Sequence, residues 1–130
     1  MVIKKNIKVP LYPVRLTIIF YDNITEVIKK CYLLKGQENW LAGQMAGVFV
    51  VSASGEYRRT IVLFKMNDPE LTHGIIAHEA YHATVKILQI IGQTQDPNNN
   101  ETEAYLINWI TDQIYDLIKK NKEVLEIFRI

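Results

Sequence analysis

Three residues within a span of five, His78, Glu79 and His82, carry the side chains best suited to chemistry in this chain. If residues 68–92 (DPELTHGIIAHEAYHATVKILQIIG) form one helix, the two histidines stand four residues apart. Both imidazoles then leave the same side, one turn above the other. Two ring nitrogens so placed can bind one Zn²⁺ at about 2.0–2.1 Å each. Glu79, beside the first histidine, brings a carboxylate to a water on such an ion without itself ligating it. The pattern is H-E-x-x-H, a pair of zinc ligands with a general base for hydrolysis between them. The competing reading is a pair of hydrogen-bonded core histidines near a surface glutamate.

A catalytic zinc site usually has three protein ligands and one open position. His73 is the only other histidine. Five residues before His78 on a helix, it faces the opposite side and cannot join the same ion. The segment Asn100-Glu101-Thr102-Glu103-Ala104 offers two carboxylates at the start of the next helix, and the two compete. Glu103 falls in line with Ile107, Ile110 and Ile114, the apolar stripe, and so points inward. It also follows Asn100 by three residues, where a capping-box acid would sit. Glu101 lies to the side of the stripe, but Ala104 one turn on would allow close approach to the histidine helix. Asn108 could orient an imidazole from behind.

Several elements must position these residues. Asp68-Pro69-Glu70 reads as a helix start, with Asp as N-cap, Pro in the first helical position and an acid in the first turn. Gly92 reads as its C-terminal stop. Ile75, Ile76, Ala77, Ala80, Ala83, Val85, Ile87, Leu88 and Ile91 make this helix apolar nearly all round, as in a central, buried helix. Upstream, residues 1–13 read as a basic N-terminal arm closed by Pro10 and Pro13. Residues 14–21 (VRLTIIFY) alternate as a strand. Asn23 and Glu26 suggest a capping box opening a helix with Ile24, Val27, Ile28, Cys31 and Leu34 on one stripe up to Gly36. Cys31, on that stripe, reads as core rather than nucleophile. Residues 36–43 read as a loop; 45–52 and 57–65 read as a hairpin turning near Ser54-Gly55. A polar turn at 93–100 leads to a last helix from Glu101. Whether 121–130 extends that helix or packs back separately stays open. The expectation is a single α+β domain over residues 1–130, in the order β-α-β-β-α-α, with helices covering one face of a small sheet.

HEAYH, followed after a short loop by ETEAYLINWI, resembles the gluzincin metallopeptidases, whose H-E-x-x-H precedes a helix carrying E-x-x-A or E-x-x-x-D. It is most similar to the minimal members, the ImmA/IrrE-like group and small phage-associated peptidases. E-x-x-A falls on Glu101 and Ala104. The resemblance implies a zincin-like fold, zinc held by His78, His82 and Glu101, and Glu79 as general base. It also implies an endopeptidase that hydrolyses peptide bonds with a zinc-activated water. Tyr105 departs from the pattern where larger members often carry Asp or Asn. The resemblance covers the chain from the hairpin to the last helix. The edge of that hairpin could pair with an extended peptide substrate. The alternative function is a non-catalytic zinc- or peptide-binding regulatory domain of the same fold. The lone cysteine argues against the closed, cysteine-rich ligand set of a structural zinc site.

Bulk properties exclude several classes. A net charge of +1 and no basic stripe interleaved with aromatics give nucleic acid nothing to bind. No apolar run reaches roughly 18 residues, so no membrane partner is expected. A single cysteine fits a reducing compartment, and residues 1–10 lack a secretory pattern. The expected location is the cytoplasm.

Overall fold

Residues 14–21 form strand β2, Val14–Tyr21, with every residue but Arg15 buried. A strand apolar on both sides of its pleat requires cover on both faces. The computed structural model, which describes residues 1–31, 34–51 and 58–128, supplies it. Strands β1 (Val2–Lys8), β2, β3 (Ala46–Val51) and β4 (Arg58–Lys65) form one mixed sheet in the order β1-β2-β4-β3. β1 and β3 run antiparallel to their neighbours, whereas β2 and β4 are parallel. Leu16, Ile18 and Phe20, with Val62 and Phe64, face a core completed by α3 (His73–Ile90), α4 (Glu101–Lys120) and α5 (Lys122–Leu125). Ile19 and Tyr21, with Ile61 and Leu63, face a smaller core under α1 (Ile24–Lys30) and α2 (Glu38–Ala42).

The α+β class stands, but helices lie on both faces of the sheet rather than one, and the order becomes β-β-α-α-β-β-α-α-α. The first cause is residues 1–13. They are not an arm: Val2–Lys8 pairs along its whole length with β2. Ile3 and Ile7 pack on the larger core, and Lys4 and Lys8 are exposed. Alternating lysines are how an edge strand is kept from pairing further. Pro10 and Pro13 belong to the β1–β2 connection, where Leu11 takes a φ of 66° after Pro10.

The second cause is residues 24–43. Asn23 caps α1 by accepting from Glu26 N at 3.1 Å. The Glu26 carboxylate, however, pairs with the Met1 amino group and Lys30. The helix stops at Lys30 instead of Gly36, with Cys31 buried and free at its end. The expected loop at 36–43 contains α2, whose Trp40 covers Gly47. A Cβ on Gly47 would lie 2.2 Å from the indole.

The hairpin at 45–52 and 57–65 is present as β3 and β4; its turn at Ser54-Gly55 lies outside the described residues. The C-terminal segment packs back on its own domain, burying Val124 and Phe128, with 129–130 outside the described residues. Among the described residues, no helix is long and apolar enough to cross a membrane.

One polar cluster pins β1 to α4. Lys5 Nζ donates to Gln113 Oε1 at 3.0 Å and to Asp116 Oδ2 at 3.1 Å, and Lys120 Nζ reaches the same oxygen at 2.9 Å. Lys120, then Lys5, hold the Asp116 carboxyl below its usual range. A depressed folded-state pKa contributes stability above the ordinary aspartate value of about 3.9, and loses it as pH falls through the lower folded value. Asp116→Asn is therefore expected to lower the thermal midpoint slightly near neutral pH. In melts repeated down the acid range, the difference from wild type should shrink and vanish.

Candidate metal centre

Helix α3 starts later than expected. Asp68 caps a turn, accepting from Glu70 N at 2.9 Å, and the helix N-cap is Thr72, which accepts from Ile75 N at 3.4 Å. Pro69 biases Asp68 away from helical backbone, which moves the start past Leu71. The end is as expected. Gly92 takes a φ of 75°, and Gln93 N donates to Leu88 O at 2.9 Å, a glycine-closed helix end. Between these caps one face of α3 is buried, through Ile76, Ala80, Ala83, Ile87 and Leu88. The other face is not: His78, Tyr81, His82, Lys86 and Gln89 are exposed. The helix is amphipathic, not buried all round.

That phase puts both histidines in solvent on one side. His78 Nε2 and His82 Nε2 stand 3.0 Å apart, with the rings edge to face at 4.6 Å between centroids. Two nitrogens sharing an ion at about 2.05 Å stand roughly 2.9–3.4 Å apart for angles between square and tetrahedral. The pair fits a zinc ion. The same contact can hold a single proton, donated by one ring nitrogen to the other.

Glu79 lies on the opposite balance of exposure. At 7% exposed it is the one carboxylate among the described residues that is buried. The competing reading, core histidines beside a surface glutamate, is thus inverted in both parts. Burial pushes the Glu79 carboxyl above its usual range, and His78 and His82 pull it partly back. The result is a carboxyl that holds a proton more readily than an exposed one, close enough to the two imidazoles to feel their charge.

The first turn of α4 separates the two candidate third ligands. Asn100 is the N-cap but makes no side-chain capping bond, so Glu103 is not engaged in a capping box. Glu103 is half-buried and accepts from Gln95 Nε2 at 2.8 Å. The same Gln95 nitrogen donates to the Tyr81 hydroxyl at 3.3 Å. The Tyr81 ring lies 6.2 Å from that of His82. Glu103 is thereby linked to the histidine helix. Glu101 is exposed, and two residues along a helix it points about 200° away from Glu103. Among the described residues, no three His, Cys, Asp or Glu side chains stand together as a group that could hold a metal. The structure brings His78 and His82 together, buries Glu79 on the neighbouring side of the helix, and ties Glu103 to Tyr81 through Gln95.

The remaining candidates lie elsewhere. Asn108 and Tyr105 line a groove between α4 and Pro10–Tyr12. Arg58 and Arg59 open β4. Gln95 was invisible beforehand, because a single glutamine in a polar turn carries no pattern; only the fold shows that it bridges two helices.

His73 sits away from the pair, as its spacing implied. Its Nδ1 is 2.5 Å from the Tyr115 hydroxyl, and its ring stacks on Tyr115 and leans on Phe128, at 5.6 and 5.2 Å between centroids. It fastens the start of α3 to α4 and to the C-terminal turn. His73→Ala is expected to lose on the order of 1 kcal/mol of unfolding free energy, from one hydrogen bond and an aromatic contact. Any zinc binding, measured by competition with a chelating dye, should be unchanged from wild type. A scan against models of known protein families gives no match, and searches of curated proteins and of solved structures give none either.

Proposed function

We propose that this chain is a zinc-dependent metallopeptidase of the minimal gluzincin type, hydrolysing peptide bonds as an endopeptidase. The observation that carries the reading is the convergence of His78 Nε2 and His82 Nε2 to 3.0 Å with the buried Glu79 between them in sequence. A zinc ion held there would supply Lewis acidity, activating water and polarising the scissile carbonyl. His78 and His82 would hold it through their Nε2 atoms. Glu79 accepts the proton released by the attacking water and returns it to the leaving amine. The third donor comes from the first turn of α4. Glu101 was favoured by the E-x-x-A resemblance; the link through Gln95 and Tyr81 favours Glu103.

Two further features suit a peptide substrate. β3 is an outer strand of the sheet and packs beside α3, with Ala46 and Val48 against the same core. An extended peptide added to β3 would have its backbone hydrogen-bonded along the sheet edge beside α3. The Tyr81 hydroxyl accepts from Gln95, so its own proton is free to be donated outward. The reading places the enzyme in the cytoplasm, where the buried thiol of Cys31 stays reduced.

Wild-type protein is expected to bind one zinc per chain by elemental analysis and to cleave a mixed peptide library. Glu79→Gln should keep the zinc and lose hydrolysis by at least about a hundredfold, the usual contribution of a general base. His78→Ala should lose the zinc itself. Wild-type protein that binds zinc and peptide without cleaving would instead support the non-catalytic regulatory domain. If wild type and His78→Ala bind equally little zinc, both readings fail.

A further inference from the structure

The corner between β1 and β2 carries a side chain that the fold does not use. Residues 9–12 form a tight turn closed by Tyr12 N, which donates to Val9 O at 3.4 Å. Proline in its second place and a left-handed φ in its third follow the type II pattern, whose third residue is ordinarily glycine or asparagine. Here it is Leu11, at φ 66°. A leucine in that region is strained, because its Cβ crowds the following carbonyl. Burial does not offset the strain, since Leu11 is 97% exposed. The corner is nevertheless fixed: Val9 is buried, and its N–H donates to Val14 O at 2.9 Å. Strain kept at a solvent-facing side chain on a fixed corner points to a contact made outside the fold.

Leu11 stands on the rim of a groove of about 480 Å³ between this corner and α4. Tyr105, Leu106, Trp109 and Asp112, neighbours along one side of the helix, line it together with Tyr12. Tyr105 is 70% exposed, whereas Trp109 is packed on the larger core and so held in place. Among the described residues lining the groove, Asp112 alone is charged. The nearby lysines are engaged elsewhere. Lys5 and Lys120 pair with Asp116, and Lys4 reaches Lys30 O at the end of α1. We propose that the groove binds a protein segment that sets a lysine or arginine against Asp112 and Trp109, and an apolar side chain against Leu11 and Tyr105. A cation gains there from the carboxylate and from the face of an aromatic ring. A small ligand would sit within the groove and leave Leu11 uncovered; a segment running across the rim covers it. The backbone of α4 is paired along the helix, so side chains carry the recognition. The surface contains neither histidine of the pair and needs no metal.

The test uses the full chain and labelled synthetic peptides, read by fluorescence anisotropy. One set places lysine or arginine close to leucine; the matched set carries glutamate in place of the cation. Only the cationic set should bind. Asp112→Asn should weaken that binding about tenfold, the scale of one hydrogen bond to a charged group, and Tyr105→Ala should weaken it too. Glu38→Gln, on α2 across the sheet, should leave it unchanged. Leu11→Gly separates contact from fold: binding should fall while the thermal midpoint rises by a few degrees, as the strain is relieved. Binding by neither set, binding that ignores the cation, or an equal loss in Glu38→Gln overturns the proposal. So does a lower midpoint in Leu11→Gly, which would make that side chain part of the fold. If benzyltrimethylammonium binds and the peptides do not, the groove takes a small cation and the protein segment falls. If the chain sediments as a dimer that Leu11→Gly dissociates, a second copy covers the surface and the proposal is overturned.

Discussion

Helix α3 can hold two imidazoles toward solvent only while its other side is seated on the sheet. Ile76, Ile87 and Leu88 each gain about 1.5–3 kcal/mol from burial, and Ala80 and Ala83 let the helix axis approach closely. Against that, burying a carboxyl costs about 1–3 kcal/mol in its neutral form. The apolar seat wins, so the rotational phase of α3 is set by aliphatic packing, and Glu79 is carried inward as a consequence. Had the phase been turned by one residue, His78 would be buried and the two ring nitrogens would not share solvent access. The convergence of the two imidazoles and the burial of Glu79 are therefore one event.

The sheet is equally constrained. β2 and β4 are parallel neighbours with apolar residues on both faces, and such strands must be sandwiched. The small core under α1 and α2 seals one side, which leaves the other free for α3 and α4. β1 and β3 finish the edges in different ways. β1 presents alternating lysines, and Lys5 reaches over to α4. β3 carries no charged residue between Ala46 and Val51, and it is the edge beside α3. Its backbone groups are the more available to an incoming strand.

What could be read beforehand divides along local and tertiary lines. The boundaries of β2, the pairing of β3 with β4, the glycine stop at Gly92 and the i, i+4 histidine pair all rest on short-range rules, and all are present. β1 escaped notice because Ile3 and Ile7 alternate with lysines, and the charge pattern masked the period of two. α2 was missed because five residues are too few to show a helical period. The start of α3 was misplaced because Asp68 satisfies a turn as well as it would a helix cap. The exposure of the histidines and the burial of Glu79 depended on which face of α3 met the sheet, and a helix apolar on most sides does not announce that.

The choice between Glu101 and Glu103 shows the same limit most sharply. Glu103 seemed disfavoured because Asn100 stands three residues before it, yet Asn100 makes no side-chain cap. A capping box needs the N-cap residue in extended backbone, and Asn100, with φ −111° and ψ 19°, is not extended. The carboxylate is thereby released from local duty and is taken up by Gln95 across the loop. A motif of spacing alone cannot tell two glutamates apart when they are two residues from each other on a helix. In the fold the two differ: Glu103 accepts from Gln95, whereas Glu101 is exposed.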